Sequence, residues 1–288
     1  MESTNRPEWL KKRINLDNNY KKTESVLQDL NLNTVCQAAF CPNLGECFRA
    51  GVATFMILGN VCTRNCRFCD IPNGQPEEID QNEPANLAKA AKKMNLDHVV
   101  ITSVTRDDLN DGGSGHFVKV IKELKNIEGI TIEVLTPDFN GKKEDLKRVL
   151  KAGPAVFNHN VETVPRLYSK IRPEADYQQS LTVLNMAKQI DASIITKSGL
   201  MLGLGEQKSE VISVMEDLRK NECDLLTIGQ YLQPSSEHAK LKQYIEPAKF
   251  REYKRIALNL GFKAVASQPF VRSSYQAKEL YFKAIKQS

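Results

Sequence analysis

The spacing of apolar positions alternates between two periods along most of the chain. Short runs rich in β-branched residues predict strands, and they occupy residues 98–103, 131–135, 155–158, 193–202, 225–229 and 264–267. An earlier run at residues 54–58 predicts one more strand, which ends before Gly59 and leads into a cysteine-rich segment. Loops that follow such strands commonly carry the chemistry of a protein.

The segments between these runs predict amphipathic helices, because their apolar residues recur at spacings of three and four. Val211, Val214 and Leu218 form one such stripe, and Tyr253 and Ala257 belong to another. Alternating strands and helices indicate an α/β fold with a parallel sheet. Six or seven such units can close as a full or partial barrel or lie open as a doubly wound sheet, and periodicity does not distinguish these.

Composition narrows the class of protein only slightly. A chain of 288 residues with 41% hydrophobic and 26% charged residues is ordinary for a globular protein. Residues 1–13 lack the apolar stretch of a secretory signal, and no later run reaches membrane-spanning length, so we expect a cytoplasmic protein without a membrane partner. A formal net charge of +5 indicates an ordinary solvated surface, and no nucleic-acid partner is expected.

The distribution of cysteine is more informative. Six of the seven cysteines lie between positions 36 and 69, and Cys223 is far from them. An odd number in a chain without a secretory signal argues against a disulfide framework, because cytosolic thiols are kept reduced. Clustered cytosolic cysteines more often hold metal. We therefore expect a metal centre in a reducing compartment, with Cys223 as a buried free thiol.

The clustered cysteines form two triplets. The first triplet is Cys36, Cys41 and Cys47, spaced C-x4-C-x5-C, and the second triplet is Cys62, Cys66 and Cys69, spaced C-x3-C-x2-C. Three thiolates on one compact loop can bind three irons of a four-iron cube and leave the fourth iron open for a ligand. Zinc is the alternative, but it prefers four ligands at paired spacings, and the first histidine of the chain is His98.

The sequence C-T-R-N-C-R-F-C spans the second triplet and places the aromatic Phe68 before its last cysteine. It resembles the signature of the radical S-adenosylmethionine superfamily. The resemblance implies that the open iron of this 4Fe-4S cluster binds the methionine amino and carboxyl groups of S-adenosylmethionine. An electron from the cluster then cleaves the sulfonium, and the resulting 5′-deoxyadenosyl radical abstracts hydrogen from the substrate.

Further blocks resemble one family of that superfamily, the lipoyl synthases. They are V-C-Q-A-A-F-C-P-N-L-G-E-C-F from Val35, A-T-F-M-I-L-G-N-V-C-T-R from Ala53, T-S-V-T-R-D-D-L from Thr102, H-N-V-E-T-V from His159, K-S-G-L-M-L-G-L-G-E from Lys197, L-T-I-G-Q-Y-L-Q-P-S from Leu226 and R-S-S-Y from Arg272. The likeness covers nearly the whole chain. It departs at Gln37 and Ala38, where the family commonly has two glutamates, and this departure changes the local charge beside the first triplet.

The resemblance implies an α/β fold built as a partial (β/α)6 TIM-like barrel in residues 53–269. The first triplet then lies on an N-terminal extension of residues 1–52, and the R-S-S-Y motif lies on a C-terminal extension of residues 270–288.

The resemblance also implies a sulfurtransferase that inserts two sulfur atoms at C6 and C8 of an octanoyl chain on a lysine of a lipoyl carrier domain. Its expected partners are octanoylated 2-oxoacid dehydrogenase E2 subunits, the glycine cleavage H protein and an electron donor such as ferredoxin or flavodoxin. The family uses S-adenosylmethionine and two 4Fe-4S clusters, and the auxiliary cluster donates the sulfur. Since C6 is a methylene and C8 a methyl carbon, and neither has an activated C–H bond, radical chemistry carries the step, and no residue is assigned as acid or base.

Site residues follow from the same resemblance. The first triplet holds the auxiliary cluster, and Ser274 of R-S-S-Y supplies its fourth ligand. On spacing alone, Ser273 and Gln276 instead fit a capping box at the start of a C-terminal helix. Candidate contacts to S-adenosylmethionine are Phe68 and the pattern G-x-M-x-G-x-x-E, whose members are Gly199, Met201, Gly203 and Glu206. His159 and Glu162 follow a strand, but no proton-transfer role is assigned to them.

Two other functions fit parts of this pattern. One is a radical enzyme that inserts sulfur into a free small molecule, as biotin synthase does, and it would not require an octanoylated carrier protein. The other is an iron-sulfur electron carrier or cluster-delivery protein, which would not cleave S-adenosylmethionine.

Overall fold

The computed structural model describes residues 6–12 and 17–286, so parts of both predicted extensions lie outside the described residues. Its strands are β1 (Asn33–Thr34), β2 (Thr54–Ile57), β3 (His98–Ser103), β4 (Thr131–Leu135), β5 (Val156–Asn158), β6 (Ile195–Leu202), β7 (Leu225–Gln230) and β8 (Ala264–Ser267). They form one sheet in the order β1 to β8, in which β1 is antiparallel to β2 and all later neighbours are parallel. Within the described ranges the two edges of the sheet do not pair, so the barrel is open.

The predicted strands are therefore confirmed, with β8 as a seventh parallel strand. The helices are α1 (Asn18–Asp29), α2 (Val35–Ala38), α3 (Leu44–Arg49), α4 (Glu83–Lys93), α5 (Ser114–Lys125), α6 (Lys143–Lys151), α7 (Tyr168–Ile171), α8 (Tyr177–Ile190), α9 (Lys208–Lys220), α10 (Pro247–Asn259) and α11 (Ala277–Ile285). Parallel strands need crossover connections, and α4 to α10 supply them between β2 and β8. Among the described helices, none is both long and apolar enough to cross a bilayer.

Helix α5 illustrates why these helices cover the sheet. Its buried residues Phe117, Val120, Ile121 and Leu124 recur at helical spacing, and the helix packs between α4 and α6. The parallel strands place their carboxyl ends at the same edge of the sheet, where the functional loops of a barrel lie.

The interior of the open barrel also contains a buried ion pair. Lys197 on β6 and Glu133 on β4 are fully buried and lie 2.6 Å apart, Nζ to Oε1. The Asn158 side-chain amide on β5 donates to the same oxygen over 3.3 Å. Since a buried charge is tolerated only when it is paired, this interaction links three neighbouring strands below the functional edge.

The C-terminal segment corrects one prediction from the sequence. Helix α11 begins at Ala277, and the preceding residue, Gln276, has left-handed backbone angles (φ 52°) and makes no capping hydrogen bond. The predicted capping box of Ser273 and Gln276 is therefore wrong. Ser273 instead accepts a hydrogen bond from the Asn160 side-chain amide, 2.5 Å away, in the loop after β5.

Candidate active site

A cavity of about 620 Å³ opens at the carboxyl ends of the strands. Cys36 and Cys41 of the first triplet line it together with all three cysteines of the second triplet, and so do Ser273 and Ser274. Cys47 is close enough to Cys36 and Cys41 for the three thiols to interact electrostatically. The fold thus brings both triplets and the R-S-S-Y motif to one enclosed space.

The loop that carries the second triplet begins where β2 ends. Leu58 and Gly59 both adopt positive φ angles, 69° and 95°, and turn the chain out of the sheet. The Cys62 sulfur then accepts hydrogen bonds from two backbone amides, those of Arg64 (3.4 Å) and Thr105 (3.3 Å). These two hydrogen bonds fix the position of the Cys62 sulfur at the start of the loop.

Arg64 anchors this loop to its neighbours. Its buried guanidinium donates to Asp107 after β3 (2.6 Å) and to both carboxylate oxygens of Asp138 after β4 (2.9 and 2.8 Å). Burial would raise the pKa of the Asp138 carboxyl, but hydrogen bonding and the charge of Arg64 outweigh burial and hold the pKa below its ordinary value. The second triplet is therefore fixed by a charge network.

The other end of the same loop is held by two later segments. The Arg67 amide donates to the Ile171 carbonyl (2.8 Å), and the Arg67 carbonyl accepts from the Ala239 amide (2.7 Å). His238 places Nε2 3.0 Å from the Cys69 carbonyl oxygen. These contacts use backbone atoms, so they position the cysteines without occupying their sulfurs.

The first triplet lies on two short helices. Thr34 caps α2, its side chain accepting from the Gln37 amide (3.2 Å), and Cys36 lies on that helix. The turn that follows has hydrogen bonds from the Phe40 amide to the Gln37 carbonyl and from the Cys41 amide to the Cys36 carbonyl. This pairing is the Schellman pattern of a helix end. Cys47 lies on α3, whose first turn follows directly.

The C-terminal segment closes the site around the first triplet. The Asn43 amide donates to the Phe270 carbonyl (2.7 Å), and the Tyr275 hydroxyl donates to Glu46 (2.9 Å). The Thr54 hydroxyl donates to the Ser274 hydroxyl oxygen (2.7 Å), and Thr54 also hydrogen-bonds to the Cys36 thiol. Thr54 therefore links Ser274 to Cys36 of the first triplet.

The residues of both triplets fit the chemistry of iron-sulfur clusters. Burial raises the pKa of the Cys36 thiol to about 11 and that of the Cys47 and Cys69 thiols to about 12. Thiolates at such positions require nearby positive charge, which the irons of a cluster supply. Within residues 6–12 and 17–286, no three His, Cys, Asp or Glu side chains are close enough to hold a single metal ion, and a cube spreads its thiolates over a wider span.

The predicted contacts to S-adenosylmethionine separate into two groups. Phe68, Gly199 and Met201 line the cavity. Gly199 has no room for a side chain, because a Cβ there would lie 2.5 Å from the Thr227 hydroxyl and 3.0 Å from the Asn160 amide oxygen. Glycine at this position therefore keeps the cavity wall open.

Gly203 and Glu206 lie in the turn after β6 and are not among the described residues that line the cavity. The Glu206 carboxylate accepts from the backbone amides of Gly203 (2.6 Å) and Leu204 (2.9 Å). Burial raises the pKa of this carboxyl. The observed contacts of Glu206 thus stabilise the turn.

Four residues that line the cavity each have a buried side-chain polar atom without a hydrogen-bond partner. They are Thr136 (Oγ1), His159 (Nε2), Asn160 (Oδ1) and Arg172 (Nε). The other ring nitrogen of His159, Nδ1, lies 2.9 Å from the Thr136 carbonyl and must donate to it. Burial, together with the charge of Arg172, lowers the pKa of His159 to about 4, so the ring is neutral near pH 7 and Nε2 is an acceptor. Buried polar atoms without partners indicate a polar ligand.

Comparisons with known proteins agree with this geometry. The model of the radical SAM superfamily matches residues 56–218, and a model described as the N-terminal domain of lipoyl synthase matches residues 1–41. A lipoyl synthase of Caldanaerobacter subterraneus subsp. tengcongensis is 56% identical over 94% of this chain and 95% of its own length. The chain belongs to the lipoyl synthase family. A lipoyl synthase of Caldicellulosiruptor saccharolyticus is 54% identical, over 97% of this chain and 98% of its own.

Solved structures of lower identity share the fold. Methylornithine synthase has a TM-score of 0.57 at 16% identity and covers 85% of this chain and 82% of its own. The FeFe-hydrogenase maturase HydG of Carboxydothermus hydrogenoformans has a TM-score of 0.60 at 14% identity, over 92% of this chain and 69% of its own. These structures therefore share the fold of this chain.

Arg172 and Asn160 were not identified from the sequence as candidate site residues, although both line the cavity. Asn160 directly follows His159, and Arg172 begins the R-P-E sequence after the short helix α7. A basic residue and an amide beyond a predicted strand end are a weak signal, because such residues are common in loops. By contrast, the prediction for Cys223 is confirmed: it is fully buried, outside the cavity lining, and its thiol donates to the Leu225 carbonyl (3.3 Å).

Proposed function

We propose that this chain inserts two sulfur atoms into an octanoyl chain carried on a lysine of a lipoyl carrier domain, at C6 and C8. The observation that carries this proposal is that two separate thiol triplets meet at one cavity. A protein that only transfers electrons has no need for a cavity of about 620 Å³ between its clusters. Family membership and coverage of more than 90% of the relatives' length support the same activity.

The two triplets divide the work. When bound, the cluster on the second triplet with S-adenosylmethionine supplies hydrogen abstraction, and the cluster on the first triplet supplies sulfur. The protein's own task is to position the acyl chain between them and to exclude water. Apolar residues of the cavity wall, including Val104, Leu135 and Leu200, suit a hydrocarbon chain.

Ser274 is the proposed oxygen ligand that completes the first triplet. Its hydrogen bond from Thr54, which also bonds to Cys36, supports this role. An oxygen ligand binds iron more weakly than a thiolate does. Ser274 can therefore leave an iron as sulfur is removed, whereas the three cysteines retain their hold.

S-adenosylmethionine is proposed to lie against Phe68, Gly199 and Met201, which line the cavity. The unpartnered atoms of Asn160 and Arg172 and the neutral His159 offer it one carbonyl acceptor, one cationic donor and one ring acceptor. Gly203 and Glu206 are proposed to act indirectly, because they shape the turn after β6 and do not themselves line the cavity. No acid or base is assigned to the reaction.

The carriers are proposed to be octanoylated 2-oxoacid dehydrogenase E2 subunits and the glycine cleavage H protein, with ferredoxin or flavodoxin as the electron donor. We place the protein in the cytoplasm, because all seven cysteines are free thiols, and free thiols persist in a reducing compartment. We also propose that residues 1–52, 53–269 and 270–288 act as extension, barrel and second extension.

The test is anaerobic reconstitution with iron and sulfide, followed by incubation with S-adenosylmethionine, a reductant and an octanoylated lipoyl domain. The proposal requires about eight irons per chain, 5′-deoxyadenosine and a lipoylated domain. Conversion of free octanoate but not of the domain would favour an enzyme of free small molecules. Cluster formation without 5′-deoxyadenosine would leave only an electron carrier.

A further inference from the structure

Phe40 is an unusual residue to find on the surface. Its side chain is 82% exposed, whereas the other exposed large hydrophobic residues of the described chain are 38–43% exposed. Exposing an aromatic ring to water costs free energy. A partner that covers the Phe40 ring would therefore recover this free energy.

The backbone of Phe40 carries a second cost. Its φ of 42° lies in the left-handed region, at the position of a Schellman turn that usually holds glycine because a Cβ is strained there. Hydrogen bonds on both sides fix this turn: the Phe40 amide donates to Gln37, and the Cys41 amide donates to Cys36. The ring is thus held outward by the same turn that positions Cys41.

The location of Phe40 identifies what covers it. Of the described residues that line the cavity, only Arg6, Phe40 and Pro234 are exposed, so they mark its mouth. Under the proposed function, an octanoyl-lysine arm must enter here and reach between the triplets. A folded carrier domain is far larger than a cavity of about 620 Å³, so its body must stop at this mouth.

We infer that Phe40 is a docking contact for the body of the octanoylated carrier domain, adjacent to the modified lysine. This inference rests on the proposed function and adds the surface that recognises the carrier. An aromatic side chain whose backbone is fixed before binding, and which loses its water on binding, is a typical anchor of a protein interface. Phe40 then contributes to affinity for the carrier domain beyond what the acyl arm provides.

The experiment compares two ligands on the reconstituted enzyme. One is the octanoylated carrier domain, and the other is a short octanoylated peptide that has the sequence around the same lysine. Phe40→Asn removes the ring but keeps a residue that tolerates the left-handed turn, and Phe40→Gly removes both the ring and the strain. Leu258→Gln is the matched control, because Leu258 is an exposed apolar residue on α10, outside the cavity lining.

We expect both Phe40 variants to raise Kd for the carrier domain about tenfold. Their Kd for the peptide should change less than twofold, and Leu258→Gln should change neither value. Unchanged binding of the domain would overturn the inference. Equal weakening for domain and peptide would also overturn it, because the ring would then contact the acyl arm.

Three outcomes distinguish a failure of this inference from a failure of the proposed function. Loss of self-association in Phe40→Asn, with carrier binding intact, would identify a second copy of this chain as the partner and refute the docking role. If the wild-type enzyme binds neither octanoylated ligand, the proposed function fails and this inference fails with it. If the wild type converts the carrier domain and the variants bind it equally well, only this inference fails.

Discussion

The second triplet lies within a single eight-residue loop, and the first triplet spreads over twelve residues and two short helices. The second is anchored by Arg64 to loops that follow the next two strands. The first is closed by residues more than 200 positions away, through Asn43 with Phe270 and Thr54 with Ser274. The second triplet is thus held by loops of the barrel, whereas the first depends on segments near both ends of the chain meeting.

This difference suits the two proposed tasks. A site that repeats its chemistry with each S-adenosylmethionine needs rigid ligands, and the charge network of Arg64 provides them. A site that gives up sulfur must release and regain a ligand. Ser274, the proposed hydroxyl ligand, lies on a separate segment and would do so without disturbing the three cysteines.

The largest expected effect is that cysteine variants of the two triplets lose different activities. Cys66→Ala should abolish 5′-deoxyadenosine formation, because the open iron is lost with its cluster. Cys41→Ala should retain most of that cleavage but form no lipoyl product. Both products can be quantified by mass spectrometry in one assay, with Cys223→Ala as a control that retains both. Loss of both activities in a well-folded Cys41→Ala protein would show that the triplets are not independent.

The next effect tests how the second triplet is anchored. Arg64→Ala leaves the buried Asp138 carboxylate unpaired, and removal of one partner of such a pair costs roughly 3–5 kcal/mol of unfolding free energy. Iron content should fall towards that of one cluster, with the first triplet still loaded. Urea denaturation and iron analysis measure this. Arg166→Ala, which breaks an exposed pair with Glu210, is the control and should leave both values unchanged.

A third comparison concerns the two adjacent serines. Ser274→Ala should lower lipoyl formation at least tenfold, while stability changes by about 1 kcal/mol or less. Ser273→Ala loses a hydrogen bond to Asn160 and should leave the helicity of α11 intact. Mössbauer spectra of the first-triplet cluster should change only in Ser274→Ala. An unchanged spectrum in that variant would remove Ser274 from the ligand set.

The last expected effect is a pH dependence of stability on the second-triplet side. The folded-state pKa of His159, about 4, lies below its unfolded value. As pH falls from about 6.5 towards 4, the unfolded chain takes up this proton first, so stability falls by up to roughly 1.4 kcal/mol per pH unit. His159→Asn keeps a donor to Thr136 and should flatten this slope in urea titrations at several pH values. An identical slope in both proteins would contradict the shifted pKa.

Much of the fold and both cysteine triplets could be predicted from local patterns in the sequence. The strands from β2 to β8 follow from runs of apolar residues, and the helices follow from their three-and-four spacing, because local periodicity reflects which face of an element is buried. Both thiol triplets were evident from cysteine spacing, since each set lies within at most twelve consecutive residues. Cys223 was recognisable as a buried thiol because no partner lies at ligand spacing.

Other features depended on residues that are distant in sequence. The capping box of Ser273 was a plausible local pattern, but Asn160, 113 positions away, bonds to that hydroxyl instead. The unpartnered atoms of Asn160 and Arg172 belong to a site only because β5 and its loop face the cavity. Local sequence specified the elements and the ligands, whereas the packing of the open barrel decided which polar groups meet, since that choice depends on contacts between segments that no local pattern encodes.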